Sequence, residues 1–122
     1  MANRVFLGDD GFVHNIYEGD QSEDTITSVA KQIAQLAKKL RSQHRPVLIL
    51  VDVSGMGSQN TGARRAGAEA LRHLDYDRVA MFGGDPLVRY VVKLVIRASG
   101  TAANLQYYKT QAEAQAFLRQ KD

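Results

Sequence analysis

Residues 47–74 read VLILVDVSGMGSQNTGARRAGAEALRHL. An apolar, β-branched run comes first, a Gly/Ser/Asn/Thr cluster interrupts it, and the stretch ends in an alanine-rich segment with apolar residues four apart. That succession predicts a buried strand, a polar loop and a helix. A strand apolar on both faces belongs in the middle of a sheet covered by helices, because neither face can meet water. In open α/β sheets functional groups gather where strand carboxyl ends meet helix amino ends. Here that junction carries Asp52, Ser54, Gly55, Met56, Ser58, Asn60, Thr61 and Arg64, which makes it the first candidate site.

Working upstream, Arg4-Val5-Phe6-Leu7 and residues 12–17 are short apolar runs separated by Asp9-Asp10-Gly11, the pattern of an antiparallel hairpin. Gly19 and Asp20 should break the second strand. Ser22 or Asp24 can then cap a long helix whose Ile26, Val29, Ile33, Leu36, Ala37 and Leu40 share one stripe, and which ends near Ser42 before Pro46. Working downstream, Asp75-Tyr76-Asp77 is a turn and residues 78–82 are a second buried strand. Gly83-Gly84-Asp85-Pro86 comes next, with Asp85 as N-cap and Pro86 at the first helical position, and the helix 87–98 should stop at Gly100. Residues 104–108 read as a last short strand, and Thr110 to Glu113 as a capping box opening a final helix. The predicted order is ββαβαβαβα: an α/β fold whose central sheet is mostly parallel, with one antiparallel hairpin and flanking helices.

The 122 residues, 44% of them hydrophobic, are expected to form a single domain over residues 1–122. With no cysteine, disulfides, thiolate metal sites and cysteine nucleophiles are excluded, and a cytoplasmic location without a transmembrane segment or export signal is expected. The charge of +3 is unevenly placed: residues 1–24 hold six acids against Arg4 alone, and residues 31–45 hold five bases and no acid. No aromatic residues interleave with that basic run, so it reads as a solvated helix face rather than a nucleic-acid surface.

The glycine-rich stretch 55–62 lacks the Lys-Ser/Thr of a P-loop and the spacing of a dinucleotide fingerprint; a turn capped by Ser58, Asn60 or Thr61 explains it. Asp52-Val53-Ser54-Gly55-Met56 resembles the D-x-S-x-S motif of von Willebrand A-type domains, whose oxygens suit Mg²⁺, but Met56 stands where a second serine belongs. A metal-binding D-x-S loop is therefore a minor alternative, and no resident metal or cofactor is expected. His14, His44 and His73 share no motif with a serine and an acid, so no catalytic set is expected either. The helix 87–98 is apolar around most of its girth, with only Arg89, Lys93 and Arg97 as a basic stripe. Val88, Val91, Val92, Val95 and Ile96 are expected to exceed what one sheet contact buries, which points to a homodimer face or a lipid-contacting face.

With that order and the stretch VDVSGMGSQNTG, the chain resembles the STAS family of sulfate-transporter and anti-sigma-factor-antagonist domains over essentially its whole length. In antagonist members D-x-S-G ends the strand and D-S opens the next helix, its serine phosphorylated by a partner kinase. The resemblance implies that Asp52, Ser54 and Gly55 match the first part, Asn60 the aspartate and Thr61 the phosphorylated serine. Asn60 in place of aspartate and Gly62-Ala63-Arg64-Arg65 in place of a small apolar continuation are departures. The pieces DYDRVAMFG (75–83) and LQYYKTQAEAQAFL (105–118) are similar to stand-alone bacterial members of the SpoIIAA-like superfamily, a fold shared with CRAL-TRIO lipid-carrying domains. The resemblance implies a non-enzymatic regulatory module that meets a protein partner, a kinase or anti-sigma-like regulator, and the expected contact residues are Asp52, Ser54, Gly55, Met56, Asn60, Arg64, Gly84 and Asp85; the place of Thr61 and Ser58 at a helix N-terminus makes either one the expected phosphorylation site. The alternative is a carrier of a small apolar ligand or lipid.

Overall fold

The computed structural model describes residues 2–100 and 103–120. Its elements run β1 (Arg4–Leu7), β2 (Val13–Gln21), α1 (Glu23–Ser42), β3 (Leu48–Gln59), α2 (Thr61–His73), β4 (Arg78–Phe82), α3 (Pro86–Ser99), β5 (Leu105–Tyr108) and α4 (Gln111–Leu118), the order read from the sequence. The sheet keeps chain order, β1-β2-β3-β4-β5, with β1 antiparallel to β2 and every later pair parallel.

Local chemistry sets the ends of the elements. Gly11 takes φ 85° in the hairpin turn, a conformation free of cost only to glycine. Ser22 caps α1 by accepting from the Thr25 N–H, while the Thr25 hydroxyl oxygen accepts from the Ser22 N–H. Asp85 caps α3 with Pro86 behind it, Gly100 closes α3 at φ 72°, and Thr110 caps α4. Each such cap contributes about 1 kcal/mol. Burial of Ile26, Val29, Ile33 and Leu40 on α1 contributes roughly 1.5–3 kcal/mol per side chain, so packing rather than capping holds that helix on the sheet.

Three crossovers step in one direction from β2 to β5, and crossovers of a single hand that do so must place their helices on one face. The core bears this out: Val29, Ile33, Leu40, Leu71, Val88 and Val92 from α1, α2 and α3 join Val13, Ile49, Val51, Val53, Val79 and Met81. Among the described residues the helix on the opposite face is α4, whose Ala114, Phe117 and Leu118 pack on Phe12, Leu50, Ala80 and Phe82. Beyond the reach of α4, Phe6 is 40% exposed and stacks on the His14 ring at 4.9 Å. His14 in turn lies 2.9 Å from an Asp10 carboxylate oxygen.

The two central strands differ from expectation. Gly19 and Asp20 do not break β2, and residues 54–59 are not a loop: β2 and β3 continue side by side, with Glu18 opposite Gly55, Gly19 opposite Met56 and Gln21 opposite Gln59. The glycines are there for proximity. A Cβ on Gly55 would lie 3.2 Å from the Tyr17 carbonyl oxygen, and one on Gly57 would lie 3.2 Å from the Asp20 nitrogen. Asp20 adds a side-chain clasp, its Oδ1 accepting from the Ser58 N–H at 2.9 Å.

Candidate functional site

Between Asp52 and Gly55, and again between Met56 and Gln59, β3 advances three residues while β2 advances two, so β3 carries two bulges. A bulge switches the facing of the residues beyond it. Met56 accordingly points into the core, 8% exposed, and is no part of an outward partner surface. The extended strand also divides the expected site. Four residues at ~3.3 Å per residue put Ser58 up to ~13 Å along β3 from Ser54.

The inner patch sits at the carboxyl ends of β3 and β4. Asp52 is half-buried on the α4 side of the sheet, opposite Phe82 on β4, and its Oδ1 accepts from the Ser54 N–H at 2.8 Å. This is the Asx-type backbone contact that competes with metal ligation for the same oxygen. Gly83 takes φ 93° and passes so close to Ser54 that an added Cβ would lie 3.1 Å from the Ser54 nitrogen. Gly84, at φ 85°, leads to Asp85, which is committed to capping α3 through Val88 N–H at 2.9 Å. The Tyr107 hydroxyl donates to the Gly83 carbonyl, and the Lys93 ammonium lies 5.4 Å from the Tyr107 ring centre. Burial raises the Tyr107 phenol above its usual value, opposed by the nearby Arg89 charge. The Arg89 Nε is buried with no hydrogen-bond partner. Tyr107 escaped the sequence reading because its place beside Gly83 depends on β5 pairing with β4.

The outer patch sits where β3 meets α2. Asn60 is the N-cap, its Oδ1 accepting from the Ala63 N–H at 2.8 Å. Asparagine thus does the capping work available to the aspartate of the motif. Thr61 is exposed at the first position of α2, and the Arg64 guanidinium donates to its Oγ1 at 3.3 Å. Arg64 and Arg65 are both exposed. Gly62 rests against α1, with an added Cβ 3.3 Å from Glu23 Cβ, so the amino ends of the two helices adjoin. Ser58 is exposed but lies on β3 beside the Asp20 carboxylate. Asp20 was missed as a neighbour of Ser58, since only the bulged register brings the two together.

The apolar helix α3 is arranged differently from the expected dimer or lipid face. Val88 and Val92 are 7% and 4% exposed and sit in the core, while Val91, Val95 and Ile96 are half-buried. The outward apolar side chains are Leu87, 71% exposed, and Tyr90, 63% exposed. Beneath α2 and α3 lies a cavity of about 70 Å³, of which α3 supplies only Val92 and Val95. That is below the ~300 Å³ at which lipid or drug-sized ligand sites begin, whereas an open surface groove of about 380 Å³ runs between α2 and α3, lined by Arg64, Arg65, Arg72, Leu94, Val95 and Ala98. Among the described residues no helix is long and apolar enough to cross a membrane.

The family model described as SpoIIAA-like matches residues 13–119. Among solved structures, an uncharacterised protein of the DUF3478 family with a SpoIIAA-like fold from Shewanella loihica is 15% identical, with TM-score 0.60, over 96% of this chain and 92% of that one. The anti-sigma factor antagonist SpoIIAA in its unphosphorylated form is 12% identical, with TM-score 0.62, over 97% of this chain and 98% of that one. No curated protein matches the chain.

Proposed function

The chain belongs to the SpoIIAA-like family, and from that membership we propose that it is a non-enzymatic regulatory module that presents the junction of β3 and α2 to a protein partner and is switched by phosphorylation of Thr61. The observation that carries the reading is the setting of Thr61: exposed, at the first position of α2, with Arg64 already donating to its hydroxyl oxygen. A phosphate there adds about −1.5 to −2 charge beside unpaired helix N–H groups and two arginines, which favour it. Ser58 is the poorer acceptor, because its phosphate would stand beside the Asp20 carboxylate that holds its own N–H. Gly62 rests against Glu23 of α1, so a charge added at the neighbouring Thr61 would stand near the amino end of α1 as well as on the surface offered to the partner.

Intact-mass measurement after co-expression with the kinases of the native host tests this. One phosphate is expected on the wild type and on Ser58→Ala, and none on Thr61→Ala. A phosphate that persists in Thr61→Ala, or a wild type that never acquires one, overturns the switch. Self-association is proposed through the outward residues Leu87 and Tyr90 of α3, since Val88 and Val92 are engaged in the core.

A further inference from the structure

The strongest unexplained feature of the interior is the side chain of Asn15. It is 2% exposed, near the start of β2, and its Oδ1 is buried without a hydrogen-bond partner. Natural proteins rarely leave such a group unpaired, because its desolvation is then uncompensated. Asn15 also lines the 70 Å³ cavity between the sheet and the helices. Ala70 of α2 faces the cavity with a short side chain, and Gly67 lets α3 come so near that an added Cβ would lie 3.2 Å from Val95 Cγ1. The rest of its wall is apolar apart from Gln59 and the Tyr17 phenol. Gln59 is turned aside, its Nε2 donating to the Met56 sulfur at 3.1 Å. Burial raises the Tyr17 phenol above its usual value, and a hydrogen bond from the Asn15 amide partly offsets the rise. Asn15 Oδ1 is thus the unpaired buried acceptor in this wall.

We propose that this cavity is a binding site for a small neutral molecule with an apolar body and a single hydroxyl, the hydroxyl donating to Asn15 Oδ1. Size sets the class. A 150 Å³ cavity holds benzene, with six carbon atoms, so 70 Å³ corresponds to about three to four non-hydrogen atoms, the range of a short-chain alcohol. Polarity sets it further. A water needs two to four polar partners, and this wall offers one open acceptor, so an amphiphile that brings its own apolar part fits better than water alone. A hydroxyl both donates and accepts, and so pairs with the amide whichever way its oxygen and nitrogen are turned. The molecule is much smaller than a lipid, and the site is independent of Thr61.

The probe is 2-propanol, titrated into the full chain and monitored by amide and methyl NMR. Saturable shifts confined to Asn15, Met56, Gly67 and Ala70 are expected, with intermolecular contacts from the probe methyls to those of Met56 and Ala70. A four-atom ligand of good efficiency gives a dissociation constant on the order of 1 mM. Asn15→Leu, which removes the amide and fills space, should weaken binding at least about tenfold, the effect expected when a buried hydrogen bond and its cavity are lost together. Ala70→Val narrows the cavity from the opposite wall with the amide intact and should do the same, so the test stands even if Asn15→Leu does not fold. Linear, non-saturable shifts, contacts to water protons alone, or unchanged affinity in the folded variants would each overturn the proposal.

Discussion

Replacing Gly83 by alanine tests the claim that the inner patch is held by close approach of backbone rather than by side chains. Two costs add at this position. The first is conformational: φ 93° is unfavourable for any residue with a Cβ, by roughly 1–2 kcal/mol. The second is steric, because the new Cβ would lie 3.1 Å from the Ser54 nitrogen and 3.2 Å from its Cα, atoms of the central strand that cannot rotate away. Forced overpacking of this kind costs about 1–3 kcal/mol. The sum is about 2–5 kcal/mol, and for a domain of this length roughly 4 °C per kcal/mol gives a fall of about 8–20 °C in Tm. Gly11→Ala is the control, since φ there is 85° but nothing lies within 4 Å of an added Cβ, so only the first cost applies and Tm falls about 4–8 °C. Calorimetry of wild type and both variants in one buffer isolates the steric part. Equal losses for the two variants would refute the reasoning, and so would a stable Gly83→Ala protein.

Three further outcomes rest on the same geometry. Asp77 accepts from Val47 N–H at 2.8 Å and from Arg41 at 2.9 Å; burial pushes its carboxyl up, but these hydrogen bonds outweigh burial and hold it below its usual value. A depressed folded pKa stabilises above the unfolded value near pH 4 and the contribution disappears as pH falls below it, so urea midpoints should drop below about pH 4 by an amount that Asp77→Asn abolishes; with both side chains partly exposed, the Arg41 pair is worth no more than ~1 kcal/mol. Tyr90→Glu should remain folded by circular dichroism and be monomeric by light scattering, whereas Val92→Glu should unfold, since it places a carboxylate in the core at a cost of several kcal/mol. Ser58→Asp should lower stability by about 0.5–1 kcal/mol through repulsion with Asp20, and adding Asp20→Asn should recover most of it in chemical denaturation, because like charges at close range on a surface act at that scale.

The fold was legible because its signals are local. Asp85 with Pro86, Gly100, the period of Ile26 to Leu40 and the apolar runs of β3 and β4 each act within a few residues, and each element they announce is present. The extension of β2 and β3 was illegible for the opposite reason. Gly19, Gly55 and Gly57 break strands when judged alone, yet here Gly55 and Gly57 keep two strands together, because Tyr17 and Asp20 come too near to admit a Cβ. Nothing within residues 54–59 announces which residues lie opposite. The surplus expected on α3 has a similar root: Val88 and Val92 look unneeded on a helix wheel drawn in isolation, and only the neighbouring α2 and β5 show how much of the helix is covered.

The bulged register also accounts for how one strand serves two ends. Without the first bulge the residues beyond Asp52 would keep strict alternation, with Val51, Val53 and Gly55 toward the helices and Met56 facing away. The extra residue turns Met56 inward, where it closes the core above Val53. The second bulge lets Gln59 come level with Gln21, so β2 and β3 end together and deliver Ser22 and Asn60, the caps of α1 and α2, to the same end of the sheet. The amino ends of the two helices are thereby locked by one strand pair, with Asp20 clasping Ser58 between them. Under the proposed switch a charge on Thr61 would stand at the adjoining amino ends of both helices, whereas at the inner patch Asp52 and Asp85 already accept from backbone N–H groups and the Gly83 carbonyl accepts from the Tyr107 hydroxyl.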